Sequence, residues 1–512
     1  MQTLSALCTA PSGLEPVLRR VCCGSLNDHY RRMYGEISER RLVPTFLDAE
    51  TYMHLLRNVL SAAIVASAMA SMNAHAANQA TKEDYVRAPM PPGFQVVATE
   101  LEGPVFADAQ GRTLYMWPKR QLRNGDAGEV EGKPTCGDEP YRENSGFLSP
   151  YPKGLEMPDA DKRPGCTAVW PPVLALAGAK PIGEWTVVDR LDGRKQWAYK
   201  GWSLYTSTVD KRPGETFGGS GMFYHGEPGA NRHPVGPEAN VPGQFDVQTT
   251  LPGRLVVLHD GWSVYTYDGD GRNKSNCKDA CLDGWSPVLA AVSATPFGEW
   301  SIVERAPGVK QWAFRTRPVY RHLTDSKLGS LDGSDVPRWH NVYTQMTPEP
   351  PQGFKLKATT VGLTIGDANG KSVYRYTCTD DAIDQLECDY PEAPQVYRFA
   401  VCGGGDPDRC QKVFPMIIAP TGAKSGNMVW GTMYIEPKSG KRASAETPGA
   451  LNVWTFRGRP VYTFAGYKGY GDNRTTDVNA HGWGEVNGGR NGFAALIYRD
   501  IHEYRDGVRA DR

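Results

Sequence analysis

Six short segments of the chain repeat one pattern: a Gly or Thr, two variable positions, Leu or Val, then Tyr. They are Gly111–Tyr115, Gly201–Tyr205, Gly261–Tyr265, Thr316–Tyr320, Gly370–Tyr374 and Gly458–Tyr462. Such self-similarity means that one small structural unit is reused and that neighbouring copies complete each other's core. An aromatic residue often stands two places after the Tyr, as in Trp117, Tyr267, Tyr376 and Phe464. Side chains two apart share one face of a strand, so the pattern predicts β-structure with an aromatic face. In three copies an Asp stands five places after the Tyr: Asp210, Asp270 and Asp325.

The segments alternate in kind. The first, third and fifth lead to a Cys with an aromatic four residues on: Cys166 and Trp170, Cys281 and Trp285, Cys410 and Phe414. A Gly-Glu-Trp block follows (Trp185, Trp300), then a Gln-Trp-Ala-aromatic block (Gln196–Tyr199, Gln311–Phe314), weakened to Asn452–Phe456 in the last copy. The second, fourth and sixth segments come directly after that block. Three repeats are therefore expected, at 95–250, 251–350 and a divergent 351–500, each of two half-units. Pro/Gly-rich linkers are expected at 226–252 and 347–353. Asp192-Gly193 between two strand-like runs is a hairpin signature. The expected fold is all-β: three tandem antiparallel β-meander repeats with long Gly/Pro-rich loops.

Charge narrows the function classes. Lys+Arg and Asp+Glu both number 57, which argues against the basic footprint of a nucleic-acid binder. Near the start, Arg57 precedes a short apolar run that ends in Ala74-His75-Ala76. That is the grammar of a secretory signal peptide. A signal at 53–76 is expected, with translation from Met53 and a mature chain from Ala77; residues 1–52 then come from a mis-assigned start or form an extension. The run is shorter than the roughly 18–20 apolar residues of a membrane span, so no transmembrane span is expected in the mature chain.

The blocks Gly-x-x-Leu-Tyr, Cys277-x-x-x-Cys281 with Trp285-Ser-Pro287, Gly-Glu-Trp, Gln-Trp-Ala-Tyr and Pro-Val-Tyr with Asp five later occur in this order. Together they resemble the bacterial secreted-repeat family, predicted lipoproteins with a Tyr-x-aromatic-x-x-Asp motif. The resemblance covers residues 95–350 well and 351–500 loosely. It implies an envelope location, periplasmic or secreted, and tandem duplication; it implies no established reaction. The chain departs from the pattern in having no Cys after the apolar run to take a lipid, and in carrying Arg120, Thr379 and Tyr467 where Asp would stand.

Eight cysteines follow the signal: 136, 166, 277, 281, 378, 388, 402 and 410. An even number in an exported chain favours disulfides. Cys166, Cys281 and Cys410 occupy equivalent slots, so their partners should be equivalent too. Cys136 with Cys166 and Cys277 with Cys281 are expected, while Cys410 takes Cys378, Cys388 or Cys402 and the other two pair. Four residues of extended strand would hold Cys277 and Cys281 too far apart, so the segment must turn, as one helical turn, which is expected to set Trp285-Ser286-Pro287 against the strand carrying Tyr265. Zinc at Cys277 and Cys281 would need two further ligands, and no paired His lies nearby. No Cys-x-x-Cys-His occurs to attach haem covalently.

Other candidates are weaker. Met222, His225, His322 and His340 are possible soft-metal ligands that would suit copper, and non-covalent haem is the other conceivable cofactor. Trp202 and Trp262 beside turn glycines could stack on a small flat ligand, as could Tyr467, His481 and Trp483 in a polar-aromatic insertion. Asp268, Asp270, Asn273 and Asn276 have oxygen-rich spacing, but the residues a helical calcium loop requires are missing, so a side-chain-capped turn is expected. The leading reading is an exported envelope repeat protein acting as a non-enzymatic binding or scaffold module, with an envelope protein as partner. The alternatives are a periplasmic redox or metal-handling protein, and an enzyme with its site in the unrepeated insertions at 120–165 or 465–490.

Overall fold

The computed structural model describes residues 82–117, 120–122, 125–127, 129–138, 165–218, 233–325, 327–359, 362–376, 395–465 and 493–500. The proposed signal, Met222, His225, Cys378, Cys388, Tyr467, His481 and Trp483 lie outside them. Antiparallel strands dominate. Helix among the described residues is confined to Cys166–Val169, Val396–Gly403, Pro407–Val413 and short 3₁₀ turns. No helix among the described residues is long and apolar enough to cross a membrane.

One hydrogen-bonding scheme occurs three times. The hairpins Gln95–Ala98/Pro104–Ala107, Phe245–Thr249/Gly253–Leu258 and Lys355–Thr359/Gly362–Gly366 each bring an apolar residue against a single residue of later chain. Phe106 N donates to Val235 O at 2.7 Å, Val256 N to Val342 O at 2.9 Å and Ile365 N to Leu496 O at 2.9 Å. The same later residue then donates to the residue just before the motif Tyr: Val235 to Leu114, Val342 to Val264 and Leu496 to Val373.

Beside each hairpin lies a Trp-rich sheet. In the middle of the chain its order is Trp300–Ala306, Val309–Phe314, Arg317–His322, Val264–Tyr267, Trp339–Asn341, with Trp285–Pro287 also paired to Arg317–His322. Its C-terminal counterpart runs Trp430–Ile435, Leu451–Phe456, Arg459–Tyr462, Tyr374–Tyr376, Phe493–Ala495, with Arg442–Ala443 on the outer edge. The meander covers the first three strands of each; the motif strand from earlier in the chain then closes against the third. The hairpin at Asp192-Gly193 forms as expected, joining Trp185–Asp189 to Lys195–Tyr199 with Gly193 at φ +77°.

Two sequence expectations shift. The proposed linker 226–252 contains a strand, Phe245–Thr249, paired to Gly253–Leu258 across a tight turn, so a repeat boundary at 250/251 would divide one hairpin. Its Gly and Pro mark turns, while Phe245 (buried) and Asp246 (exposed) already alternate at the strand period. Trp285–Pro287 pairs by backbone with the strand of Tyr320, not that of Tyr265, although the Trp285 ring reaches Tyr265 edge-on at 5.3 Å.

The core is divided by the sheets into aromatic clusters. Phe106, Trp185, Trp197 and Tyr199 form one; Phe245, Trp300, Trp312 and Phe314 its counterpart; Trp430, Trp454 and Phe456 a third. The third also buries Leu101 and Leu251 from the tips of the two earlier hairpins. Glu102 at the first tip pairs with the buried Arg457 at 3.0 Å. These contacts tie distant stretches of chain into one packed body.

Candidate functional site

Pairing sets Tyr265 directly opposite Tyr320. Their hydroxyls then cross over. Tyr265 donates to Asp325, the carboxylate five places after Tyr320, with Oδ2 at 2.9 Å. Tyr320 donates to Asp270, five places after Tyr265, with Oδ2 at 2.8 Å. Each half-unit supplies the acceptor for the other half-unit's phenol. In the first part of the chain Tyr115 and Tyr205 face each other likewise, and Tyr115 donates to Asp210 at 2.6 Å. Tyr205 donates to Glu129. Arg120 occupies the expected Asp spacing there, and Glu129, nine places further on, replaces it; the intervening residues conceal this in the sequence. Tyr374 and Tyr462 face each other in the last part, where Thr379 and Tyr467 lie outside the described residues.

The same carboxylates cap loops. Asp270 Oδ1 accepts from Asn276 N at 2.6 Å and Cys277 N at 3.1 Å. Asp210 Oδ1 accepts from Phe217 N at 2.8 Å, and Glu129 Oε1 from Thr135 N at 2.9 Å. The oxygen-rich segment at 268–276 is thus a turn closed by Asp270 onto backbone amides. Asp270→Ala should cost about 1–3 kcal/mol, because it strands buried donors, including the Tyr320 hydroxyl. Urea denaturation checks this; an unchanged midpoint would remove Asp270 from any structural role.

A guanidinium, buried at Arg190 and half-buried at Arg305, completes each centre. Arg190 donates to Cys136 O at 2.9 Å and Gln196 Oε1 at 2.5 Å; Arg305 donates to Cys277 O at 2.7 Å and Gln311 Oε1 at 2.8 Å. Each Gln passes the bond on, to Leu204 O at 2.7 Å or Val319 O at 2.8 Å. In the last part Val453 takes the place of that Gln. There Arg398 and Gln395 come instead from the helical insertion, bonded at 2.8 Å, and Arg398 sits 5.5 Å over Tyr462 as Arg305 sits 5.8 Å over Tyr320. Sequence reasoning singled out the Gln-Trp-Ala block without giving its Gln this role.

Burial governs the titration here. It pushes the Asp210 carboxyl up to about 7 and raises Glu129 and Asp325, each against hydrogen bonds that pull the other way. Tyr265 and Tyr205 are also raised, by burial first and then by their carboxylate neighbours. A carboxyl with a raised folded-state pKa holds its proton more tightly in the folded than in the unfolded chain. Its stabilising contribution is present below the unfolded pKa and is lost as pH climbs through the folded one. Relative to Asp210→Asn, the parent protein should therefore lose stability between about pH 4 and about pH 7. Parallel pH-stability curves for the two proteins would refute this.

The structure places His322 and His340 apart. His322 is mostly buried against Trp285, ring centroids 4.4 Å apart, with Nδ1 2.9 Å from Asp325 Oδ1 and Nε2 2.9 Å from Thr324 Oγ1. His340 lies across the intervening Val264–Tyr267 strand, level with Val319 and three residues out of step with His322. Its Nε2 is 2.9 Å from Asp268 Oδ2. Among the described residues no group of three His, Cys, Asp or Glu side chains is placed to hold a metal. Trp262 is half-buried and covered by the Arg321 guanidinium at 4.6 Å, while Trp202 is half-buried on a short strand.

Cysteines 136 and 166, 277 and 281, and 402 and 410 lie at disulfide geometry. The Cys277–Cys281 segment turns as a 3₁₀ helix, Asp279–Leu282, with Cys281 N donating to Lys278 O at 3.0 Å.

No curated protein and no solved structure matches the chain. A family model described as a secreted repeat of unknown function matches two segments, 186–221 and 247–289. The first carries Gln196, Tyr205 and Asp210; the second carries Tyr265, Asp270, Cys277, Cys281 and Trp285. Over those two segments the chain is similar to this secreted repeat, and that similarity, with three cysteine pairs at disulfide distance, supports an exported repeat protein.

Proposed function

We propose that this protein is a non-enzymatic binding or scaffold module of the bacterial cell envelope, built from three tandem copies of its repeat. The observation that carries the reading is one exposed aliphatic side chain offered from the same place three times. Leu174, Leu289 and Ile418 each form the bridge beside the Gln196, Gln311 or Val453 position, and are 44%, 50% and 54% exposed. A single exposed aliphatic needs no explanation. Three in equivalent positions suit a partner bound at several similar points, where linkage raises avidity without new kinds of contact. The described phenols, carboxylates and guanidinium groups of the paired centres are meanwhile engaged with one another and with loop amides, which favours a structural role for them.

The partner that fits is an envelope protein presenting an apolar surface. A photo-crosslinking residue placed at 174, 289 or 418 in the exporting cell should give an adduct of one common mass. The same residue at Leu191, 93% exposed at a hairpin tip, serves as control. Adducts equally frequent and diverse at all four positions would overturn the reading.

A further inference from the structure

Trp285 and Trp339 stack with ring centroids 3.6 Å apart and planes within 3°. Around this pair stand Tyr267, 4.7 Å from Trp339, and Tyr265, 5.3 Å from Trp285. Tyr267 is partly exposed, whereas Tyr265, Trp285 and Trp339 are buried. A continuous series of oxidisable rings therefore runs from the surface inward and ends at a phenol whose proton has an acceptor at 2.9 Å, Asp325.

The last part of the chain supplies an internal comparison. There Phe414 and Phe493 stack at 3.8 Å and 6°, between Tyr374 and Tyr376. Packing alone is thus satisfied by two phenyl rings. Two indoles in the corresponding place add what phenyl rings lack, ready loss of one electron.

We propose that the Tyr267–Trp339–Trp285–Tyr265 series is a one-electron relay, taking oxidising equivalents from an outer-sphere radical oxidant at the surface to the buried Tyr265. The oxidant gains one electron, drawn from Trp339 or Tyr267. Trp285 refills that vacancy and Tyr265 refills Trp285. Tyr265 then carries the loss as a neutral phenoxyl radical, and its proton moves along the existing hydrogen bond to Asp325. The net change is one electron to the oxidant and one proton from oxygen to oxygen within the protein; a small reductant such as ascorbate returns the electron and Tyr265 recovers its proton. Burial strengthens Asp325 as a base for that proton. This relay is independent of any partner bound at Leu174, Leu289 and Ile418.

The test is flash oxidation of the full chain by a photogenerated ruthenium(III) polypyridyl complex, followed by time-resolved absorption and electron paramagnetic resonance. The parent protein should finish with a tyrosyl radical. Tyr265→Phe should lose that signal and leave a tryptophanyl radical. Trp339→Phe, which copies the ring present at Phe493, should fold and form the tyrosyl radical more slowly. Asp325→Asn keeps a hydrogen-bond acceptor but removes the base, and should also lose the neutral radical. Circular dichroism confirms folding of each variant. An undiminished tyrosyl signal in folded Tyr265→Phe, or parent rates in Trp339→Phe, would overturn the relay.

Discussion

Replacing Glu83 by Ala is expected to lower the stability of the protein by about 3–5 kcal/mol, the scale on which breaking a buried ion pair from one side acts. The Glu83 side chain is fully buried, and both its oxygens face Arg254, Oε1 at 2.9 Å and Oε2 at 3.0 Å. Thr344 Oγ1 donates to Oε2 as well. The neighbouring Gln345 side chain donates to Thr99 O at 2.7 Å. Asn240 N bonds Asp84 O at 3.0 Å and Val86 N bonds Glu238 O at 2.9 Å, so residues 83–86 act as a strap across chain that follows much later. Removing the carboxylate leaves the mostly buried Arg254 charge without its counter-ion. Glu83→Gln should fall between, keeping an acceptor but not the charge. The comparison is Glu238→Ala, whose salt bridge to Lys200 is exposed and should contribute about 0–1 kcal/mol. Denaturant unfolding of the three variants decides it: equal losses for Glu83→Ala and Glu238→Ala would show that the strap is peripheral.

Removing the Cys136–Cys166 bridge by paired substitution to Ala is the second large effect, about 3–4 kcal/mol in the chain-entropy account. Its cysteines are 30 residues apart in sequence, against 4 for Cys277–Cys281 and 8 for Cys402–Cys410. Longer closed loops remove more freedom from the unfolded chain, so the ordering of the three losses should follow these separations. The bridges also hold the carbonyls of Cys136 and Cys277, which receive the buried Arg190 and the half-buried Arg305. Thermal unfolding of non-reduced variants measures the order. A loss at Cys277–Cys281 as large as that at Cys136–Cys166 would show that carbonyl placement, rather than loop closure, dominates.

Much of the architecture was legible because the signals were local. Two-residue spacing in Tyr265 and Tyr267 marked a strand, and Asp192-Gly193 marked a hairpin turn. The four-residue separation of Cys277 and Cys281 forced a turn between them. The Asp five places after Tyr was legible as a recurring residue, and its role as a loop cap was expected. Its bond to the opposite half-unit's Tyr was not, because that bond depends on two strands distant in sequence lying side by side.

What the sequence determined by itself was the repeated element and its chemistry: aromatic strands, turn glycines, and cysteines in equivalent slots, all set by spacings of a few residues. Tertiary structure alone decided which elements complete which. It placed Glu129 where Asp was absent, and brought Arg398 from a helix to the place Arg305 fills from a strand. It joined Glu83 to Arg254 and set Leu101 in a core formed near the other end of the chain. The physical reason is that a buried phenol, carboxylate or guanidinium requires a partner of the right geometry but not of a particular sequence position. Local pattern therefore fixes the need, and only the packed chain shows which residue meets it.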